Sequence, residues 1–425
     1  MQDRGGGEDK VAPLMARVRE GSGDKPRSRG KVRARFSVLA SPVVVVEAKK
    51  ELNDLQASWD MLRENWLYWL LVLCPLALAA EALGFSDGVR FAVCCLAILP
   101  LAGLLGEATE QVAFHTSDTL SGLLNATFGN ATEVIVSYFA LKRGLLEVVQ
   151  VSLLGSVLSN TLLVLGCSCV AGGVAGGMSS TPKFNKTAAV SNATLLQIAV
   201  LGLMVPTLLE GVGQLEVYGK VDLHLSRGIS CVLLVLYMLY CVFQLGTHRA
   251  LFEDGAGDAE SGGAAGEGDE EEVKFSLAGG MTWLALATVL IAFISEGLTG
   301  ALEGASTEWG LSQTFVGFVI LPIIGNAAEH TTAIMMAYKS KMDLALGVAL
   351  GSSTQIALFV IPVMVVIGWV IQQPLDLFFG PFPTAVTFLS TNLVFMVVQN
   401  GETNWLEGAM LLFSYAIICF SFLFY

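Results

Sequence analysis

The chain is 425 residues long, 54% hydrophobic and only 14% charged, with a mean hydropathy of +0.64 and a formal net charge of -13. A soluble domain carries about 25% charged residues, so this composition excludes an ordinary water-soluble fold and points to an integral membrane protein. The acidic balance disfavours nucleic acid as a partner, and the eight cysteines all fall in apolar segments, where they read as small buried hydrophobes.

In chain order, residues 1–62 are polar, Gly-rich and basic from Lys25 to Arg35. That composition predicts a solvated cytosolic tail, with no secretory h-region behind it. The segment 63–87 holds the first expected span, about Trp66 to Leu83, opened by the interfacial aromatics Trp66, Tyr68 and Trp69. Residues 88–246 hold five more, at about Val89–His115, Ser117–Leu141, Leu145–Val170, Ala188–Leu209 and Leu223–Leu245. The linker 247–274 then changes character: Glu253 to Glu272 is Gly/Ala-rich, with nine acids and no base. It reads as a solvated cytosolic spacer, with recruitment of cations near an entrance as the sharper alternative. Residues 275–425 return to the earlier plan, with spans at about Leu277–Ala305, Gln313–Tyr338, Met342–Ile371, Ala385–Val398 and Leu406–Phe424.

The second half repeats the first. Glu133 and Glu329 lie 196 positions apart, and the same offset carries Glu107 to Glu303, Gly155-Ser156 to Gly351-Ser352, Glu147 to Asp343 and Ser159 to Gln355. The expected fold is therefore all-α and membrane-embedded, with eleven transmembrane helices: one extra N-terminal helix and two five-helix repeats. An odd number of spans per repeat inverts the second relative to the first, an arrangement of many secondary transporters. The basic tail, Lys183/Lys186, His248/Arg249 and Lys339/Lys341 favour a cytosolic N-terminus, with Lys142-Arg143 dissenting.

At the centre of each repeat stands a polar signature, Gly129-Asn-Ala-Thr-Glu133 and Gly325-Asn-Ala-Ala-Glu329. An isolated carboxylate at bilayer depth costs about 2.5 kcal/mol or more, so each Glu is expected to face a partner or a water-filled cavity. Asn130 with Glu133, and Asn326 with Glu329 and His330, share a helix face by their spacing. Ser152, Ser156, Ser159 and Asn160 likewise share one. Gly129 and Gly325 are candidates for broken helix, which would free backbone carbonyls to ligate where a cavity is lined. Such oxygen donors suit a hard cation, and Ca²⁺ takes about six to eight of them. Glu133 and Glu329 are the expected Ca²⁺ ligands, with Asn130, Asn326, Gln355, Ser156, Ser352 and backbone oxygens as the remainder. His330 reads as a proton sensor, a donor to Glu329 or a packing residue. Glu107, Glu110, Glu296 and Glu303 form a second tier as entrance acids, against the alternatives of snorkelling or pairing with a loop base.

These motifs, together with Gly122-Leu-Leu-Asn-Ala-Thr-Phe128 and Gly351-Ser-Ser-Thr-Gln-Ile-Ala-Leu-Phe359, closely resemble the calcium/proton exchanger family of the calcium/cation antiporter superfamily. The resemblance runs from about Glu107 to Trp369. It implies a ten-helix inverted-repeat core and one preceding helix. No nucleophile–base pair or dense His/Asp metal motif appears in the sequence, which weighs against an intramembrane enzyme, and no cofactor is expected. The resemblance also implies export of cytosolic Ca²⁺ into a vacuole or other acidic organelle in exchange for H⁺. The family's cation-binding glutamates fall on Glu133 and Glu329, and its supporting polar positions on Asn130, Asn326, Ser159, Gln355 and His330. A sodium/calcium or manganese/proton exchanger is the alternative within the class, and a passive cation channel the alternative outside it. Membrane lipid is an implied partner, and assembly into a homo-oligomer is left open.

Overall fold

The computed structural model describes residues 53–211, 221–249, 251 and 273–425. The basic stretch of the tail and the acidic run from Glu253 to Glu272 lie outside the described residues. Among those described there is no strand, only an isolated bridge between Lys183 and Glu402. The helices are α1 Asp54–Glu64, α2 Trp66–Ala79, α3 Asp87–Ala113, α4 Asp118–Phe128, α5 Ala131–Lys142, α6 Leu146–Ala175, α7 Lys186–Gly211 and α8 Leu223–Thr247. After the linker come α9 Leu277–Trp309, α10 Gln313–Gly325, α11 Ala327–Tyr338, α12 Met342–Val370, α13 Pro381–Val398 and α14 Trp405–Phe422.

Eight of these are long and apolar enough to cross a membrane, and α10 with α11, bent by 57° at their junction, would make nine among the described residues. The two other spans expected from the sequence correspond to α2, which is short and begins as a 3₁₀ helix, and to the α4–α5 pair, interrupted at Gly129 and Asn130. The outward faces are apolar at helical spacing: Val232, Val235 and Leu239 on α8, and Phe413, Ile417 and Phe420 on α14, are all exposed. Water would not favour such stripes, and hydrocarbon would. The α6 helix is buried along nearly its whole length, so it lies inside the bundle.

The offset of the sequence repeat also relates the elements. It carries Ala131–Lys142 onto Ala327–Tyr338 and the start of α6 at Leu146 onto the start of α12 at Met342. The turn between them reverses on a left-handed residue in both halves, Gly144 at φ 78° and Ser340 at φ 63°. A π-helical turn interrupts α6 at Ser159–Val164, and another interrupts α12 at Ile356–Val360. The helices α3 and α9 run antiparallel and cap one another. Gln111, near the end of α3, accepts from the backbone N–H groups of Lys274 and Phe275 ahead of α9. Glu308, near the end of α9, accepts from Gly88 N–H at 2.7 Å at the start of α3.

Contacts between connecting segments fall into two sets at opposite ends of the bundle. One end joins His115 to Phe275, Lys183 to Glu402 and the Asp343 carboxylate to the Asn185 N–H. The other joins Ser86 and Gly88 to Glu308, Gln150 to Asp376 and Ser226 to Leu377.

Residues 53–62, assigned by composition to the polar tail, are structured. The α1 helix docks on the start of α9: Asp54 accepts from Ser276 N–H at 2.8 Å and from its hydroxyl at 2.5 Å, Trp283 Nε1 donates to Ser58 at 2.9 Å, and Met61 is buried. Composition misses this because the apolar face that packs on the core is only Ala57, Met61 and Leu62, and polar bonds from Asp54 and Ser58 complete the docking. Asp54→Ala should destabilise the protein by about 1–3 kcal/mol, since it strands two donors. An Asp54→Ala protein that melts like wild type would mean that α1 adds nothing to stability.

Candidate functional site

Both polar signatures sit at helix breaks. The α4 helix ends at Phe128 and α5 begins at Ala131. The α10 helix ends at Gly325 and α11 begins at Ala327. Asn130 (φ -107°, ψ 16°) and Asn326 (φ -95°, ψ 10°) share the same bridge-region backbone. Each break starts a new helix, and Glu133 and Glu329 both fall in its first turn. There the unpaired N–H groups and the helix dipole favour a carboxylate. The two acids are near enough for their charges to interact.

The two halves interlock through their amides. Asn130 Nδ2 donates to Gln355 Oε1 on α12 at 2.6 Å, and Asn326 Nδ2 donates to Ser156 Oγ on α6 at 3.1 Å. Ser159 Oγ lies 3.2 Å from His330 Nε2, so the imidazole is tied to α6. The break on one side also reaches the acid on the other: a Cβ on Gly325 would stand 3.4 Å from Glu133 Oε1. Ser352 and Asn160 stand beside Glu329. Glu329 Oε2 and both amide atoms of Asn160 make no hydrogen bond among the described residues. Buried oxygens of this kind, with donor capacity left over, are what a transiently held hard cation needs.

The π turns belong to this constellation. Ser159 opens the one in α6, and Gln355 directly precedes the one in α12. A π turn shifts the hydrogen-bond ladder by one residue and is frequent at functional sites. No residue pattern in α6 or α12 announces it.

Access to the two acids is unequal. A cavity of about 1530 Å³ runs from the end carrying Gln111, Asn185, Lys274 and Asp343 to the polar centre, where Glu329, Ser352 and Gln355 line it. Glu133 is buried and borders a small space of about 30 Å³ with Thr132, Ser137, Ser152 and Ser156. Between the site and the other end of the bundle, α6 lies against α10, and Phe318 stacks on Phe422 with ring centroids 3.6 Å apart.

Of the second tier, Glu107 and Glu110 line the large cavity. Glu296 and Glu303 are exposed on α9 and do not, although Glu303 matches Glu107 in the repeat. The dissenting Arg143 reaches over to α9 and donates to the Glu296 carbonyl at 3.2 Å. The site also contains groups outside the sequence-derived set. Asn160 had a signal, its place on the polar face of α6. Thr132 stands inside the first signature but has Ala328 as its repeat counterpart, and Ser137 reads as an ordinary helix residue.

Residues 88–246 and 279–424 match the family of sodium/calcium exchanger proteins. Vacuolar cation/proton exchanger 2 of Oryza sativa subsp. japonica is 46% identical over 426 residues, covering 99% of this chain and 94% of that protein. The Ca(2+)/H(+) antiporter of Synechocystis sp. is 42% identical, covering 84% of this chain and 96% of its own. The solved structure of native YfkE is 34% identical with a TM-score of 0.70, covering 84% of this chain and all of that one.

The unequal access has a steric signature. A Cβ on Gly155 would run into the Phe318 carbonyl oxygen and stand 2.8 Å from Pro322 Cγ, whereas one on its repeat partner Gly351, which lines the cavity, meets nothing within 4 Å. Gly155→Ala should therefore cost about 1–3 kcal/mol by overpacking. Gly351→Ala should be neutral or add up to about 1 kcal/mol, because alanine favours helix interiors. Thermal unfolding of the two variants in detergent checks this, and equal melting would contradict the one-sided packing.

Proposed function

The chain belongs to the calcium/proton exchangers within the family of sodium/calcium exchanger proteins, and we propose that it exchanges cytosolic Ca²⁺ for H⁺ from an acidic lumen by alternating access. The observation that carries this reading is the pairing of Glu133 and Glu329, one from each half, at two matching helix breaks. The names of the relatives, vacuolar cation/proton exchanger and Ca(2+)/H(+) antiporter, support it, and the first of them, with the apolar helices, supports a multi-pass protein of the vacuolar membrane.

Electrostatics explains why such a site would exchange rather than leak. Two empty carboxylates carry a charge of about -2, and moving them across a low-dielectric barrier is costly. One Ca²⁺ neutralises the pair, and so do two protons. Occupied states then cross between the two access conformations, while the empty state stays where it is. In the Ca²⁺-loaded state Glu133 and Glu329 supply the charge. Asn130, Asn326, Ser156, Ser159, Ser352 and Gln355 supply neutral oxygens or orient them, and His330 braces α11 against α6 through Ser159. Glu107 and Glu110 draw cations into the cavity.

The topology follows the same reading. With α2 and the α4–α5 pair counted as spans, eleven helices thread the membrane, and the two sets of connecting-segment contacts fall on its two faces. The antiparallel, mutually capped α3 and α9 are then the leading helices of two inverted repeats. A cytosolic N-terminus puts the open cavity on the cytosolic face, where Ca²⁺ would enter. The reciprocal conformation seals Gly351 as Gly155 is sealed here. Arg143, an exception to the positive-inside pattern, is engaged by the α9 backbone.

Glu133→Gln and Glu329→Gln each retain size but leave the Ca²⁺-loaded site with a net positive charge and unable to take two protons. Proton-driven Ca²⁺ uptake into sealed vesicles should fall by roughly a hundredfold in either variant, the factor that about 2.5–3.5 kcal/mol of uncompensated charge corresponds to. Glu→Asp at the same positions should be milder. Near wild-type exchange in either Gln variant, at matched expression, rules out the two-carboxylate mechanism.

A further inference from the structure

The α2 segment has no counterpart in the repeat, and its place in the sequence suggests a peripheral helix outside the transport core. Its first turn instead forms part of the cavity wall: Asn65, Trp66, Leu67 and Tyr68 line the cavity together with Glu107 and Glu110. Tyr68 is buried at 5% exposure, and its hydroxyl donates to Glu107 Oε2 at 2.7 Å. The ring packs on α3, with Cε1 3.7 Å from where a Cβ on Gly103 would be, so the phenol has little freedom to swing away. We propose that Tyr68 is a positioning residue for Ca²⁺ capture, holding the Glu107 carboxylate on the cavity wall along the path to Glu329.

Three observations favour this over simple docking of α2. The bond is made by a polar tip that the rest of the ring does not require for packing. It is directed at an acid on the cavity surface. Its partner also sets the two ends of the transporter apart: Glu303, the repeat equivalent of Glu107, is exposed on α9 and lines no part of this cavity. Among the described residues, the charged side chains lining the cavity are the carboxylates of Glu107, Glu110, Glu329 and Asp343 and the ammonium of Lys274. The cavity is therefore cation-attracting, and a carboxylate fixed in one orientation costs less ordering when a cation arrives than a free one does. The neutral phenol orients Glu107 while leaving it its negative charge, which a lysine or arginine partner would cancel.

The inference rests on Ca²⁺ being the captured ion, and its test is a split between affinity and turnover. Full-length protein in sealed vesicles is assayed for initial Ca²⁺ uptake against Ca²⁺ concentration. Tyr68→Phe keeps the ring and deletes only the donor, so the apparent KM should rise roughly threefold to tenfold, the range for an ordinary solvent-accessible hydrogen bond. Maximal rate and melting temperature should stay at the wild-type values. Glu107→Gln should raise KM at least as much, and adding Tyr68→Phe to it should change nothing further. Three results would overturn the proposal: a wild-type KM in Tyr68→Phe, a fall in maximal rate with KM unchanged, or effects of the two substitutions that simply add. The wild-type control separates this from the functional reading. If wild-type uptake follows a sodium gradient instead of a proton gradient, proton coupling is wrong, and the KM comparison still decides the role of Tyr68.

Discussion

The rest of the structure depends on the cost of an uncompensated charge in an apolar medium. Two carboxylates at the centre of a bundle that is 54% hydrophobic in sequence have to be offset by cation, protons or donors. The fold concentrates its irregular backbone around them. Both helix breaks and two π turns converge on Glu133 and Glu329, while α14 and the middle of α8, with its exposed Val232, Val235 and Leu239, present apolar outward faces. Irregular backbone at membrane depth is tolerated only where it is buried in protein or lines a cavity, and here it does both.

The amide crossings give this arrangement its coherence. Asn130 is held by α12 and Asn326 by α6, so each break is braced by a long helix of the opposite half. A shift of one half against the other therefore changes the surroundings of both acids together. The packing already differs between the two sides, closed at Gly155 and open at Gly351. A close-packed interior favours discrete arrangements over continuous deformation, which is what the proposed alternation between sealing at Gly155 and sealing at Gly351 requires.

Much of this was legible in the residues. The repeat offset related Glu133 to Glu329 and marked Gly129 and Gly325 as break points, because a Gly-Asn pair inside an apolar run is a local instruction that tertiary context did not override. Other features had no local signal. The π turns occupy sequence indistinguishable from α-helix. The cavity opens at one end only, and near-identical motifs in two halves carry no information about which side is open. Docking of α1 through Asp54 and the Tyr68–Glu107 bond depend on non-repeated segments meeting distant partners, which neither periodicity nor composition encodes. Glu107 and Glu303 are equivalent in sequence and unequal in place: Glu107 lines the cavity and meets Tyr68, whereas Glu303 is exposed on α9.

The most direct test of proton-coupled exchange is Ca²⁺ uptake by the wild-type protein in sealed vesicles, with an imposed pH gradient or an imposed sodium gradient at equal Ca²⁺, while lumenal pH is followed in the same sample. Uptake that requires an acidic interior, with proton efflux tracking Ca²⁺ entry, is the expected result. Uptake driven by sodium alone, or uptake that runs equally well with neither gradient, would contradict it.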